Sequence, residues 1–514
     1  MAAPPDKLAL SLEALKTLQD YGLTAIHTTK ITRTHRERLL KNGFIKEVFK
    51  GWYISSRPDE PTGESTAWYA SFWGFCADYL HSRFDESWCL CPEQSLSIHT
   101  GNWSVPKQLL VRSPQGGNKP ISLLHETSIF DVRLALPDQQ DLTTIDGIQI
   151  LSLPAALVTC SPRHFTAHPI ETRAALAMIS NASDILHRLL RGDHSKVAGR
   201  LAGAFRNIGR DSIADNIVQT MKSAGYAVSE NDPFHDKPPI PLSTREVSPY
   251  VNRLRMSWAA MRATVINHFP SPPSQKIDAQ SYLKHVDDLY VTDAYHSLFI
   301  EGYQVSAELI ERVRSGDWNP DTDSATSPDI DRNHKDALAA RGYWQAFQAV
   351  KESVIQVLGD NQEGAAGKVA EKDYEKWYRE LFSPSVTAGI IDATDLAGYR
   401  NHPVYIRHSK HAPPNYQAVR ELMPTFFDLL QNEKDPAVNI VLGHYFFVYI
   451  HPYMDGNGRI GRFLMNVMLA SGGYPWTVVP VEQRSAYMAA LEEASVNHNI
   501  IPFTQFLAQL VKTE

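Results

Sequence analysis

The sequence predicts a multidomain α+β protein: a winged helix-turn-helix at the N-terminus, a mixed α/β middle region and an all-α C-terminal domain interrupted by one β-hairpin. Three observations lead there. A basic helix followed by two short strands opens the chain, and helical apolar spacing becomes nearly continuous after residue 249. Between these regimes lies a stretch dense in Pro, Asp and Ser, "SENDPFHDKPPIPLSTREVSP". A chain of 514 residues has room for roughly two to four domains.

Residues 1–56 form the first of these. "LSLEALKTLQDYG" sets Leu12, Leu15 and Leu18 at helical spacing and stops at Gly22, while "TKITRTHRERLLKNG" has a Thr start signal and stops at Gly43. "FIKEVFKGWYIS" reads as two strands around Gly51. Between Lys30 and Lys50 there are seven Lys or Arg against two Glu. That order matches a winged helix, whose recognition helix can enter a major groove, so Lys30, Arg33 and Arg36 are the expected DNA contacts.

Residues 57–228 mix short strands ("QLLVRSP", "ISLLHETSIFDVRLAL", "DGIQILSLP") with loops and turn helical from about 171, with "HRLLRGDHSKVAGRLAGAFRNIG" the strongest stretch. Residues 229–248 read as a linker and 249–514 as the helical domain. Two segments break its helices. "SGDWNPDTDSATSPDIDRN" is a polar loop, and "HPVYIRHSKHAPP" alternates like a hairpin before Pro413 and Pro414. There is no internal repeat.

Composition narrows the function. A net charge of -7 argues against a wholesale polyanion binder and leaves room for a local basic patch. The start, "MAAPPDKLALSLEALKTL", has no basic segment leading into an apolar run, and no stretch of about twenty apolar residues occurs. Cys76, Cys89, Cys91 and Cys160 are too few and too irregular for a disulfide framework. The expectation is a cytoplasmic protein with free thiols and no membrane partner.

The chemistry concentrates in "HPYMDGNGRIGRF", His451 to Phe463, between two stretches of helical apolar spacing. Gly456 and Gly458 let the backbone turn closely, with Asn457 between them. The amides of such a loop, opening a helix, make an anion site. Arg459 and Arg462, three apart, share one face and suit a polyphosphate. Asp455 is a hard oxygen ligand suited to Mg²⁺ beside phosphates, and His451 can take a proton from an incoming hydroxyl. Base, metal ligand, cradle and cations together describe attack on a nucleotide phosphate.

"HPYMDGNGRIGR" resembles the signature of Fic domains (filamentation-induced-by-cAMP), H-P-F-x-[DE]-G-N-G-R-x-x-R, with Tyr453 for the usual Phe. The resemblance runs from about Tyr282 to Leu510, and "HPVYIRHSKHAPP" is similar to the family's flap. It implies transfer of AMP from ATP, with Mg²⁺, to a Ser, Thr or Tyr hydroxyl of a protein, including the chain itself. In that reading His451 is the base and Asp455 the Mg²⁺ ligand. The amides of Gly456, Asn457 and Gly458 hold the α-phosphate, and Arg459 and Arg462 the outer ones. Ile406 and Arg407 of the flap, with Tyr487 and Met488, lie beside the nucleotide, and the flap takes the target as an added strand. Ser495 stands where some relatives carry an adenine-binding Asn, so adenine selectivity is the part of the resemblance that departs.

"SLFIEG", Ser297 to Gly302, resembles the inhibitory motif [ST]-x-x-x-E-[GN] of Fic enzymes whose brake precedes the core. Of three glutamates followed by Gly or Asn, only Glu301 has Ser four residues before it. The resemblance implies an inhibitory helix near 290–302 whose carboxylate reaches Arg462 and displaces the γ-phosphate.

The N-terminus, with "LLKNGFIKEVFKGWYIS" and "WCLCPEQSLSIHTGNW", is similar to abortive-infection type IV antitoxins, which act as DNA-binding repressors. This implies a second hypothesis: a transcriptional regulator whose Fic half senses nucleotide. An intact His451, Asp455 and arginine pair favours the enzyme. A homodimer is compatible with either.

Overall fold

The computed structural model describes residues 4–58, 64–192, 194–238, 248–273, 278–318, 330–359 and 364–513. The chain forms two compact units, Met1–Arg253 with Tyr405–Ala412, and Leu254–Val404 with Pro413–Glu514.

In the first unit, α1 (Pro4–Asp20), β1 (Ile26–His27), α2 (Arg33–Lys41), β2 (Ile45–Phe49) and β3 (Trp52–Ser55) follow in order, with the strands arranged β1-β3-β2. The helix–helix–hairpin order is as anticipated, with β1 added. Thr32 caps α2 by accepting from the His35 amide, the start signal the sequence carries. Leu15, Ile26, Ile31, Leu39, Ile45 and Tyr53 close a small core.

The other face of the hairpin does not meet solvent. Val48 and Ile54 join a larger core with Trp68, Phe72, Phe75 and Tyr79 of α3 (Thr66–Phe84). Phe49 and Trp52 meet the Tyr79 ring edge-on, with centroids 5.3 and 5.2 Å away. Asp78 of the same helix accepts from the Thr24 and Ala25 amides at 2.7 and 2.8 Å. Packing therefore runs straight through the boundary expected at residue 56.

Next come β4 (Cys89–Leu90), α4 (Pro92–His99), β5 (Gln108–Ser113), β6 (Pro120–Ser122), β7 (Ser128–Arg133), β8 (Leu142–Ile145) and β9 (Ile148–Leu151). They make a four-stranded sheet ordered β4-β5-β7-β6, parallel only between β5 and β7, and a β8-β9 ribbon. Six short helices follow: α5 (Leu153–Thr159), α6 (Pro162–Ala167), α7 (Pro169–Ala177), α8 (Ser183–Leu189), α9 (Ser195–Asn207) and α10 (Asp211–Ser223).

The segment read as a linker is fastened in its first half. Asn207 of α9 donates to Asp232 at 2.8 Å, Arg173 pairs with Asp236 at 2.8 Å, and Phe234 is buried beneath the Arg173 guanidinium. Residues 239–247 lie outside the described residues, as does the middle of the expected polar loop, 319–329.

The second unit is helical among the described residues. Its helices are α11 (Pro249–His268, begun in the first unit's range), α12 (Ala279–Ile300), α13 (Ala307–Ser315), α14 (Ile330–Gly359), α15 (Ala365–Thr387), α16 (Tyr416–Asn432), α17 (Pro436–Ile450), α18 (Asn457–Ser471), α19 (Arg484–Asn497) and α20 (Ile501–Thr513). "PAVNIVLGHYFFVYI" is apolar all round, so α17 can only be a central helix. It is capped at its start by Asp435, which accepts from the Ala437 and Val438 amides. Helix α18 packs beside it and is as thoroughly buried.

The β-hairpin expected in "HPVYIRHSKHAPP" does not form, and residues 401–415 contain no strand. Pro403, Pro413 and Pro414 have no amide to give a ladder, and His408 turns at φ +60°. The donors go elsewhere. Residues 405–412 pack within the first unit, where Lys410 O accepts from Val105 N at 2.9 Å, His408 N donates to Thr66 Oγ1 at 3.3 Å and Arg407 Nε donates to Glu64 at 2.6 Å.

Candidate active site

The site is the loop between α17 and α18. Helix α17 ends at His451, whose φ of +54° puts it in the left-handed region while its amide still bonds Phe447 O. Pro452 cannot continue the helix, so the chain turns there. His451 Nδ1 lies 3.1 Å from Val448 O. With the proton on Nδ1 donated to that carbonyl, Nε2 keeps its lone pair for a substrate. Burial pushes the imidazole down to about 4, opposed by the Val448 carbonyl and aided by the Arg400 guanidinium. His451 is thus neutral near pH 7, the form a base requires.

The turn is held shut from beneath. Asn457 Oδ1 accepts from Tyr453 N at 2.9 Å and its Nδ2 donates to Tyr453 O at 2.8 Å. Tyr453, where Phe is usual, stacks on Tyr378 of α15 at 3.8 Å with rings 5° from parallel. Gly456 has φ +81°, and a Cβ there would lie 2.7 Å from the Phe382 ring. Only glycine meets both demands.

Helix α18 then opens without a side-chain cap. The first-turn amides of Asn457 and Gly458 are left for another acceptor. Asp455, mostly exposed, accepts from Gly456 N at 2.6 Å and from Arg459 Nη2 at 3.2 Å. The Arg459 guanidinium is buried between the rings of Tyr303 and Phe382, 5.2 and 5.0 Å from their centroids. Its Nε, like Arg462 Nη1, is a buried donor with no acceptor among the described residues. Uncapped amides and unspent guanidinium donors fit a polyphosphate.

Arg462 carries the electrostatic centre. Its Nη2 donates to Glu301 Oε1 at 2.7 Å and to Ser297 O at 3.1 Å, and its Nε to Ser297 Oγ at 3.0 Å. Arg462 is 3% exposed. Burial opposes its charge, yet the Glu301 carboxylate outweighs that and raises its pKa. Glu301 caps the C-terminal end of α12, and Gly302 follows at φ +95°. The end of that helix is tied to the start of α19 and the segment before it, since Arg484 Nε donates to Ile300 O at 2.9 Å and Val481 N to His296 Nδ1 at 3.1 Å. A Cβ on Gly458 would lie 2.3 Å from Glu301 Oε1, so the carboxylate rests directly on the loop.

The remaining residues named from sequence are placed otherwise. Tyr487 is buried, its hydroxyl 2.7 Å from His444 Nε2, while Met488 beside it is half-buried. Ile406 and Arg407 belong to the segment that packs in the first unit, where Arg407 is paired with Glu64. Lys30 and Arg33 are exposed and Arg36 half-buried around α2, but Arg33 is paired with Glu37 at 2.6 Å. Arg38 turns inward to Lys7 O and Ser11 Oγ. Tyr303, Phe382 and Arg400 were not anticipated. An aromatic two residues past Glu301 is visible in the sequence, whereas nothing there marks Phe382 or Arg400.

Residues 368–469 match the Fic/DOC family. The protein adenylyltransferases Fic of Drosophila willistoni and Drosophila virilis are each 30% identical over 236 residues, or 45% of this chain. The matches cover 42% and 43% of their lengths, so the chain spans less than half of the curated relatives it matches. A solved structure of C. elegans Fic-1 is 16% identical, with a TM-score of 0.36, covering 70% of this chain and 88% of that one. The C-terminal region of the chain carries a Fic domain.

Proposed function

We propose that the chain is an autoinhibited protein adenylyltransferase, moving AMP from ATP to a Ser, Thr or Tyr hydroxyl of a protein, itself included. The relatives' shared name and the intact loop support the activity, and one observation carries the autoinhibition: Glu301 occupies the Arg462 guanidinium at 2.7 Å.

His451 Nε2 takes the proton of the target hydroxyl, and the oxygen attacks the α-phosphorus. The bond from that phosphorus to the β-bridging oxygen breaks, pyrophosphate leaves with the electron pair, and AMP stays as an ester. The amides opening α18 hold the α-phosphate, helped by the positive end of the helix dipole. Arg459 and Arg462 hold the outer phosphates. Asp455, exposed at the loop's mouth beside the amides, would hold Mg²⁺, which when bound neutralises phosphate charge. With Glu301 in place ATP enters with its γ-phosphate displaced, and a displacement on the order of 1 Å is costly for in-line attack.

The test is intact mass of the full chain after incubation with ATP and Mg²⁺, for wild type and Glu301→Gly. Gains of one AMP mass, larger in the variant, support the reading. Absence of any adduct on the chain or on added lysate proteins in both refutes it.

A second reading, a DNA-binding regulator, rests on the exposed Lys30 and Arg33 at the start of α2. It is compatible with the first in one chain.

A further inference from the structure

Arg400 is 2% exposed, and every acceptor the structure gives it is a main-chain carbonyl. Its Nε donates to His451 O at 2.7 Å, Nη1 to His402 O at 3.2 Å, and Nη2 to Pro414 O and, at 3.5 Å, to Ile450 O. Its own amide donates to Pro452 O at 2.9 Å. A buried guanidinium normally takes a carboxylate, because desolvating a cation against neutral acceptors is costly. Two of these carbonyls, Ile450 O and His451 O, are ones that the end of α17 leaves without intrahelical partners, and the cation faces the negative end of that helix.

We infer that Arg400 is a positioning residue for the base: it binds the carbonyls on both sides of the His451 Cα and so holds the left-handed turn that presents the imidazole. The inference rests on the proposed transferase reading. A histidine at φ +54° is in a sparsely populated region and persists where its surroundings hold it. The main-chain partners before and after that residue, Ile450 O, His451 O and Pro452 O, all end on Arg400. Pro414 O on the same guanidinium ties the far side of the flap segment to the turn. The charge acts as well. Arg400 opposes an imidazolium at His451, against Glu301 and Asp455, which favour it.

The experiment uses the full chain in the Glu301→Gly background, with Arg400→Gln and Arg400→Lys, reading kcat, KM for ATP, the pH profile and thermal melting. Arg400→Gln should lower kcat by about a hundred-fold, as a slightly misplaced base would, with KM for ATP within about two-fold. The acid limb of kcat should move up from its position in the parent, but only part of the way to the ordinary imidazole value, because burial, the larger cause, remains. Arg400→Lys, which keeps the charge and loses the fork, should lose kcat without moving that limb. Parental kcat and an unmoved limb in folded Arg400→Gln overturn the inference, as does failure of both variants to fold, which makes Arg400 a structural buttress. If Arg400→Gln alone fails to fold, parental kcat in Arg400→Lys overturns it. An inactive Glu301→Gly parent instead refutes the transferase reading.

Discussion

Arg462 and Glu301 meet at 2.7 Å although 161 positions separate them, and Ser297 accepts from Nε and Nη2 of the same guanidinium from one turn earlier on the helix. The arginine cannot lose its proton, so it always holds an anion. ATP offers another to the same atoms. A partly buried charged hydrogen bond of this kind contributes on the order of 1.5–3 kcal/mol, or about ten- to a hundred-fold. Glu301→Gly should therefore raise auto-modification by that factor, and Arg462→Ala should abolish it again in the same background. The intact masses of wild type, single and double variants decide this. A wild type already as active as Glu301→Gly would show that the glutamate is no brake.

His451→Ala removes the proposed base and leaves the amides and arginines. Transfer should fall by about a hundred- to ten-thousand-fold while ATP binding, read by calorimetry, stays. The pH profile follows from the low pKa. With an imidazole titrating near 4, kcat in Glu301→Gly should be flat between about pH 6 and 8 and fall only in acid. A limb centred near 6.5 would mean that another group is the base.

His444, wholly buried on α17 with Nε2 on the Tyr487 hydroxyl, makes a stability prediction. Burial lowers its pKa from 6.5 to about 4. Between those values the unfolded chain binds a proton that the native chain refuses. Stability is therefore lost as pH falls from about 6.5 toward 4, by about 1.4 kcal/mol per unit for one such group. Buried Asp293, raised by desolvation to about 6 with Tyr343 as partner, works the other way, favouring the native state as pH falls through 6. His444→Gln should flatten the acid loss in urea titrations at pH 7, 6 and 5. An unchanged slope would show that His444 is charged when buried.

The loop's geometry was legible because it is local. Glycines, histidine and cations sit within thirteen residues, and the helices on either side announce themselves by apolar spacing. Glu301 was legible through its place at the end of a helical pattern before the core. The flap was not. Its alternation suits a hairpin, but strand pairing needs free donors, and three prolines with a competing partner in the first unit override the pattern. Nor could spacing reveal Arg400, whose partners are backbone atoms that any sequence would supply, or Phe382, whose role beside Gly456 depends on how α15 packs.

Glu64 and Arg407 form a pair whose two ends are unequal. The Glu64 side chain is 8% exposed and Arg407 57%. Burial opposes the charge on Glu64, but Thr66 and Arg407 overcome it and bring the carboxyl down to about 2. Most of its donors, the amides of Ser65 and Thr66 and the Thr66 hydroxyl, are independent of Arg407. Arg407→Ala should therefore cost under about 1 kcal/mol, as exposed ion pairs do, whereas Glu64→Gln should cost about 1–3 kcal/mol by setting a buried amide against those donors. Urea unfolding of both variants tests the asymmetry. Equal losses would mean that Arg407 carries the interaction.

The DNA-binding reading of the N-terminal helices is tested at Arg33. Its guanidinium is spent on Glu37 one turn later, with both side chains in water. A phosphate must displace that carboxylate, so Glu37→Gln should strengthen duplex binding while Arg33→Ala weakens it. The full chain is the reagent, because residues beyond 56 cover Phe49, Trp52 and Ile54, which a fragment would expose. Binding should fall steeply with salt, and Arg33→Ala should flatten the slope of log K against log salt by about one, as expected when one fewer phosphate is neutralised. The measurement is fluorescence anisotropy on duplex from the region upstream of the coding sequence, at several salt concentrations. No binding at the lowest salt, or a Glu37→Gln chain that binds no better than wild type, would sink this role for α2.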